Sequence, residues 1–187
     1  MCDFVHRGIA PPRVAINLSM RQFQQHDLVE SVQKALDSAG LPGHSVELEI
    51  TETTAMQNAE SAITLMRDLR TLGVSIAIDD FGTGYSSLTY LKRLPIAAVK
   101  IDRTFVNNIP AEENDVAIVS AVIGIARSLR LRTVAEGVET AEQFAFLRRA
   151  ECDEGQGYYF SRPCNAEEIS RILTGTPVLV RQPRLTL

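Results

Sequence analysis

The sequence is poor in the residues that build disulfide-rich and zinc-binding proteins. Its three cysteines, Cys2, Cys152 and Cys164, are an odd number and include no CxxC pair. Neither a disulfide framework nor a zinc–thiolate site is therefore expected. The three histidines are scattered in polar or turn contexts, which favours solvated side chains over metal ligands.

Excess positive charge and long apolar segments are also lacking. The 19 Lys and Arg residues against 23 Asp and Glu give a net charge of -4, so no global positive field attracts a nucleic acid polymer or an anionic membrane. Residues 1–8 have no apolar core of a signal peptide, and the longest nearly apolar run, 116–126, is too short to cross a bilayer. We expect a cytoplasmic chain without membrane contact of its own, although a longer parent protein could be attached to a membrane through other domains.

The sequence does contain a regular alternation of short β-branched runs and longer segments of helical period. Strands are predicted at 13–18, 46–50, 74–78, 97–101, 133–135 and 155–156, with helices between them. No Asn-Gly or similar hairpin signal separates the strands, so we predict an α/β fold with parallel pairing. The helix over 115–130 is apolar on most of its circumference, which predicts burial on two sides.

A polar or charged residue stands at the C-terminal end of nearly every predicted strand. These residues are Asn17, Glu49, Asp79, Asp80, Lys100, Glu136 and Gln156. Such ends converge on one mouth in a barrel but line only a crevice in a doubly wound sheet, so six contributing strands favour a barrel. The 139 residues from Asn17 to Gln156 give about 28 per unit, against roughly 31 in a typical eight-stranded barrel. We predict about six βα units, two strands fewer than a full barrel.

The donors in this set are hard oxygen ligands. Carboxylates and an amide, without Cys or His, favour Mg²⁺, Mn²⁺ or Ca²⁺ over structural zinc. So many carboxylates in one mouth would repel each other by several kcal/mol unless cations lie between them, which favours two metals. A two-metal carboxylate site suits in-line displacement at phosphorus, with Lys100 near the nucleophilic water or a phosphate oxygen.

Each position alone also has a structural explanation. Asp79 and Asp80 could form a turn and N-cap pair, and Lys100 could be a solvated lysine. Glu49 and Glu52 could be a strand-end charge and a helix cap. Gln156, which lies between Gly155 and Gly157, is typical of a turn. The joint placement at successive strand ends is what favours a site.

Six ordered motifs along residues 12–172 carry a resemblance to a known family. They are Asn17-Leu18-Ser19, Glu49-Ile50-Thr51-Glu52, the run from Asp79-Asp80-Phe81-Gly82 to Ser87, Val99-Lys100-Ile101-Asp102, Glu136-Gly137-Val138-Glu139 and Gln156-Gly157-Tyr158. Together they resemble the bacterial EAL domains, cyclic di-GMP phosphodiesterases built on a modified TIM barrel.

The resemblance implies a role for each matching residue. The implied metal ligands are Asn17, Glu49, Asp79, Asp80 and Glu136. Asp80, Lys100, Glu136 and Gln156 are the implied catalytic residues, and Lys100 and Gln156 also bind substrate. Glu52 resembles the residue that anchors the loop after Asp80, and Glu139 resembles a supporting carboxylate. The implied cofactor is Mg²⁺ or Mn²⁺. The implied substrate is cyclic di-GMP and the implied product is pGpG. The resemblance also implies a homodimer that forms through the helix around 115–130.

One departure from the family pattern bears on activity. The Glu-Ala-Leu tripeptide that names the family does not occur in the sequence. We therefore expect an N-terminally truncated barrel domain over 1–175, a loosely ordered tail over 176–187, and weak or no hydrolysis by the chain alone. The alternatives are a non-catalytic cyclic di-GMP receptor or dimerisation and protein-interaction module and, less favoured, a barrel lyase that uses Lys100 as base or Schiff-base amine.

Overall fold

Six parallel strands form one sheet in the order of the sequence. The computed structural model describes residues 13–84 and 88–173. The strands are β1 Val14–Leu18, β2 Val46–Thr51, β3 Ser75–Phe81, β4 Ala98–Ile101, β5 Arg132–Ala135 and β6 Glu154–Gly155. All neighbours are parallel, and the order never reverses, which separates a barrel wall from a doubly wound sheet. The predicted α/β fold, an incomplete TIM barrel, is confirmed.

Helices fill the connections between the strands. They are α1 Met20–Phe23, α2 Leu28–Ala39, α3 Glu52–Gln57, α4 Ala59–Thr71, α5 Leu88–Leu91, α6 Arg103–Val106, α7 Glu113–Ser128, α8 Ala141–Arg149 and α9 Ala166–Leu173, with a 3-10 turn at Gly43–Ser45. The sequence did not predict α1, α3 and α6, which have only four to six residues and are too short for a periodic signal.

Local side-chain caps begin several of these helices. Thr140 and Gln143 form the predicted capping box of α8, and the Asn58 side chain accepts from the Ser61 N–H at the start of α4. Asn165 accepts from the Glu168 N–H at 3.0 Å ahead of α9. Each cap satisfies a backbone donor that the first turn of a helix leaves free, which fixes where the helix begins.

The core lies between the sheet and the helices packed on its outer face. Ile50, Ile76, Ile78 and Ile101 from the central strands are fully buried, and so are Met66 and Leu69 of α4. Alternate residues of these strands face the opposite side of the sheet, the interior of the partial barrel. The strands therefore place an apolar layer outside and the polar residues of the site inside.

Helix α7 differs from its prediction in the extent of its burial. Val119, Val122, Ile123 and Ala126 form one buried face, while Ile118 is 37% exposed. The expected second buried side is thus not provided by residues 13–84 and 88–173. In the same ranges, no helix combines the length and the apolar composition needed to span a bilayer.

Several predicted features fall on other parts of the chain. Cys2, the end of the Gly-rich motif at 85–87 and the tail at 176–187 lie outside the described residues. Cys152 and Cys164 are free, partly buried thiols.

Candidate metal and active site

Lys100 lies at the centre of the mouth formed by the C-terminal ends of the strands. Its Nζ lies 2.7 Å from Glu49 Oε2, 3.1 Å from Asp79 Oδ1 and 2.7 Å from Glu136 Oε1. Burial lowers the pKa of Lys100, but hydrogen bonds to Glu136 and Glu49 outweigh this effect and hold the pKa above its ordinary value. With only 4% of its side chain exposed, Lys100 is a buried cation and not a solvated lysine.

A β-bulge in β3 brings two adjacent carboxylates to this mouth. Ile78 pairs with Val99 and Phe81 with Ile101, so β3 carries one extra residue in this stretch. Asp80 has a φ of 54°, and its N–H donates to Asp79 Oδ1 at 3.1 Å. In a regular strand neighbouring side chains point to opposite faces; the bulge removes that restriction. The sequence predicted a strand that ends at residue 78, before the two aspartates. In the structure β3 continues through both of them to Phe81.

The carboxylates around Lys100 carry more negative charge than the lysine neutralises. One oxygen each from Asp79, Asp80 and Glu136 lies within 4.8 Å of the others. Burial raises the pKa of Glu136, opposed by Lys100 and reinforced by Asp79 and Glu49. Burial, together with the charge of Asp79, also raises the pKa of Asp80. Burial is the first cause of both shifts, and the like charges around each carboxyl group add to it.

Asn17 of β1 completes the predicted ligand set from the neighbouring strand. The parallel register places Asn17 directly beside Glu49. With its NH₂ group turned toward them, the Asn17 amide donates to Glu49 Oε2 at 3.2 Å and to Asp79 Oδ2 at 3.3 Å. If the amide rotates by half a turn, its carbonyl oxygen faces the same region as these carboxylate oxygens. A cation bound by all three residues requires that orientation.

This donor set fits divalent cations. All five predicted ligands offer oxygen atoms, and four of them are carboxylates gathered around one ammonium group. Hard divalent cations such as Mg²⁺ and Mn²⁺ prefer these ligands, and their charge would offset the remaining repulsion. The residues that could hold such cations are Asn17, Glu49, Asp79, Asp80 and Glu136.

Asp102 is a site residue that the sequence reasoning did not include. The charge of Asp102 adds to burial and to Asp79 in raising the pKa of Asp80, and the Asp102 carboxylate accepts from the backbone N–H and the hydroxyl of Thr104 at the start of α6. Burial raises the pKa of Asp102, but the Thr104 hydrogen bonds outweigh this and leave it below its ordinary value. A sequence signal for Asp102 was available, because it directly follows β4 as Glu136 follows β5 and Gln156 follows β6.

Glu52 contacts the loop that follows β3. Its side chain is 2% exposed, and its Oε2 accepts from the Gly82 N–H at 2.9 Å. A Cβ on Gly84 would lie 2.6 Å from Glu52 Oε1, so only glycine permits this approach. Glu52 thus connects the start of α3 to residues 82–84, which we call the glycine loop.

Gln156 and Glu139 lie at the rim and not among the clustered carboxylates. Gln156 directly follows β6, and its backbone N–H donates to Ala135 at 2.8 Å, while its side chain is exposed. Glu139 is exposed as well, and its backbone N–H donates to Gln143 Oε1 at 2.7 Å. The predicted roles of both side chains remain predictions.

Comparison with known proteins agrees with this geometry. The EAL domain family model matches residues 1–163. The chain belongs to the EAL domain family. Among related EAL proteins, the cyclic di-GMP phosphodiesterase NbdA of Pseudomonas aeruginosa is 52% identical over 151 residues, which are 81% of this chain and 19% of NbdA.

Solved EAL structures resemble this EAL domain closely. The MucR phosphodiesterase of Pseudomonas aeruginosa in complex with cyclic di-GMP has a TM-score of 0.87 and 46% identity, covering 90% of this chain and 68% of that one. The manganese and cyclic di-GMP complex of Klebsiella pneumoniae BlrP1 has a TM-score of 0.79 and 34% identity, covering 87% and 42%. The chain spans only 19% to 24% of the length of the first curated relatives. Relatives of this EAL domain are thus cyclic di-GMP phosphodiesterases, and EAL structures bind divalent metals.

Proposed function

We propose that this EAL domain forms a two-metal site for the hydrolysis of cyclic di-GMP to pGpG. The observation that supports it is the convergence of Glu49, Asp79 and Glu136 on the buried Lys100 Nζ, at 2.7 to 3.1 Å. The proposed metal ligands are Asn17, Glu49, Asp79, Asp80 and Glu136. Mg²⁺ or Mn²⁺ is the proposed cofactor, because the ligand set contains oxygen atoms only.

In the proposed reaction a water oxygen bonds to phosphorus and the P–O3′ bond breaks. Bound divalent cations supply the Lewis acidity for the water and the phosphate oxygens. Lys100 stays protonated because its pKa is raised, so it can donate a hydrogen bond to a phosphate oxygen or orient the water. The carboxylates of Glu136 and Asp80, which lie together at this site, are the proposed acceptors of the proton of the water. The released 3′ oxygen takes up a proton, which gives the linear dinucleotide.

The turnover of the 187-residue chain itself is proposed to be weak or absent. The reason is that the Glu-Ala-Leu tripeptide, which supplies a further carboxylate in the family pattern, is not among its residues. The test is pGpG release by the purified chain with Mn²⁺, and again after EDTA treatment. Robust release with Mn²⁺ contradicts the proposed need for that carboxylate, and release that survives EDTA contradicts the metal site.

A second candidate function is a cyclic di-GMP receptor that does not catalyse. The same missing tripeptide favours it. Titration calorimetry with cyclic di-GMP separates the two: saturable binding without product supports a receptor, whereas binding followed by pGpG release supports the enzyme. No binding at all contradicts both and leaves a role in protein interaction.

We also propose that the chain forms a homodimer through α7. Ile118, 37% exposed, lies at the flank of the face that packs on the sheet, one turn before the buried Val122. An Ile118→Glu variant should shift the molar mass measured by light scattering from dimer to monomer. Lys34→Glu on α2, whose side chain is 74% exposed, is the matched control and should leave the mass unchanged. A monomeric unmodified chain contradicts the proposal.

A further inference from the structure

Four charged side chains form a closed ring at the N-terminal ends of the strands. Arg13 Nε lies 3.4 Å from Glu47 Oε1, and Glu47 Oε2 lies 2.5 Å from Arg132 Nη2. Arg132 Nη1 lies 2.8 Å from Glu154 Oε2, without the alignment of a hydrogen bond. Glu154 Oε1 returns to Arg13 Nη2 at 3.3 Å. Each arginine thus faces two carboxylates and each glutamate two guanidinium groups; we call this set the floor ring.

Two of the four contacts, Arg13–Glu154 and Glu47–Arg132, join strands that share no backbone hydrogen bonds in the described sheet. Arg13 directly precedes β1 and Glu154 opens β6, and these are the two edge strands of the order β1 to β6. Glu47 lies in β2 and Arg132 in β5, inside the sheet. The ring therefore crosses the interior of the partial barrel and connects one edge to the other.

Burial distinguishes the Glu47–Arg132 half of the ring from surface ion pairs, whereas Arg13 and Glu154 are 29% and 45% exposed. The Glu47 side chain is 4% exposed and that of Arg132 is 21% exposed, whereas the separate Glu60–Arg93 pair is 66% and 47% exposed. A buried charge is costly when it loses its partner, while an exposed pair contributes little. The formal charges of the ring cancel, so each member is neutralised within it.

The ring lies one layer below the metal and active site. Glu47 and Glu49 are two residues apart on β2 and face the same side, with about 7 Å between them along the strand. Arg132 opens β5, and Glu136 follows the end of that strand. The two strands joined by the Glu47–Arg132 contact are those that bring Glu49 and Glu136 to Lys100 Nζ, each at 2.7 Å.

We propose that the floor ring is a brace that ties the β1 edge to the β6 edge and positions Glu49 and Glu136 around Lys100. Glu47 and Arg132 are positioning residues in this proposal, and Arg13 and Glu154 carry the brace across the open side. The link to the metal ligands rests on the proposed function. The link between the edges does not, since it depends only on the four ring residues.

A double-mutant cycle tests the link between the edges. Arg13→Gln and Glu154→Gln should each lower Tm by roughly 5 °C, and the double variant should lower it no further than the more severe single variant. Backbone amides of β1 should exchange with deuterium about tenfold faster in each variant. Glu60→Gln, which removes an exposed pair, is the control and should change neither quantity. Additive Tm shifts with unchanged exchange in β1 overturn the brace.

Calorimetric titration with Mn²⁺ tests the positioning of the ligands. Glu47→Gln should weaken Mn²⁺ binding about tenfold, the low end for residues that hold metal ligands in place, while Glu60→Gln should stay within about twofold. If Glu47→Gln does not fold by circular dichroism, Glu154→Gln, which alters the more exposed end of the ring, is measured in its place.

Each outcome separates the two proposals. A Glu47→Gln variant that loses stability but keeps its Mn²⁺ affinity overturns the positioning role. An unmodified chain that binds no Mn²⁺ overturns the proposed function instead, and the double-mutant cycle then still decides whether the ring is a brace.

Discussion

The two ends of the barrel interior are both charged, but only one of them is balanced. At the C-terminal end, Lys100 faces three carboxylates, and Asp80 and Asp102 add two more acidic groups beside them. At the N-terminal end, two arginines and two glutamates alternate in the floor ring. The interior thus holds an excess of negative charge at the C-terminal ends of the strands, the upper end, and a neutral network at their N-terminal ends, the lower end.

The difference indicates which end is built for a ligand. A folded chain can neutralise buried charges with its own residues, as the floor ring does. Where it leaves like charges together, as where Asp79, Asp80 and Glu136 bring one oxygen each within 4.8 Å of the others, a bound cation can supply the missing charge. The upper end is therefore suited to function and the lower end to stability, which follows the usual division of a TIM barrel.

The largest effect is expected at Lys100, the cation that contacts Glu49, Asp79 and Glu136. Lys100→Met leaves Glu49, Asp79 and Glu136 facing each other, which should destabilise the metal-free chain by about 3 to 5 kcal/mol. A thermal melt should show a Tm lower by roughly 10 °C, with part of the loss recovered on adding Mn²⁺. Lys34→Met at an exposed position is the control. An unchanged Tm would mean that the carboxylates do not depend on Lys100.

A ligand substitution at the upper end should separate binding from stability. Asp79→Asn removes one negative charge from the crowded cluster, so the metal-free Tm should hold or rise, while Mn²⁺ affinity falls about 100-fold. The expected Tm change of Asp79→Asn is thus opposite in sign to that of Glu47→Gln in the floor ring, which should lower Tm. Asp68→Asn, exposed on α4, is the calorimetric control. Near-normal Mn²⁺ affinity in Asp79→Asn would remove Asp79 from the ligand set.

The glycine loop allows a smaller and more local change at the upper end. Gly84→Ala places a Cβ 2.6 Å from Glu52 Oε1, so either the Glu52 carboxyl group or the loop must shift and their contact is disturbed. We expect cyclic di-GMP affinity to fall about fivefold, with a stability loss of about 1 kcal/mol. Nucleotide titration and a thermal melt measure the two quantities. Unaltered affinity would show that the contact between Glu52 and the loop does not support binding.

The smallest effect is expected far from both charged ends. Gly124 lies on the exposed side of α7, and nothing lies within 4 Å of a Cβ placed there. Gly124→Ala should therefore stabilise the helix by about 0.5 to 1 kcal/mol, a Tm rise of roughly 2 to 4 °C. Mn²⁺ and cyclic di-GMP affinities should stay the same, which makes this variant the control for Gly84→Ala. A fall in Tm would show that Gly124 lies inside the proposed α7 dimer interface and not outside it.

The sequence alone determined the alternation of strands and helices and the end of the barrel at which the site lies. Hydrophobic period, capping residues such as Thr140 and Asn165, and the polar residue at each strand end are local signals, and they were sufficient for the fold. They were also sufficient to predict Asn17, Glu49, Asp79, Asp80, Lys100 and Glu136 as neighbours.

Only the tertiary structure decided how these side chains meet. The bulge that gathers both Asp79 and Asp80 depends on the pairing of β3 with β4, and the period of a strand cannot reveal it. The floor ring joins Arg13 to Glu154, 141 residues apart, and Asp102 reaches Asp80 from another strand. Charge pairing acts through space and not along the chain, so which charges are balanced follows from the folded register and cannot be read from residue order.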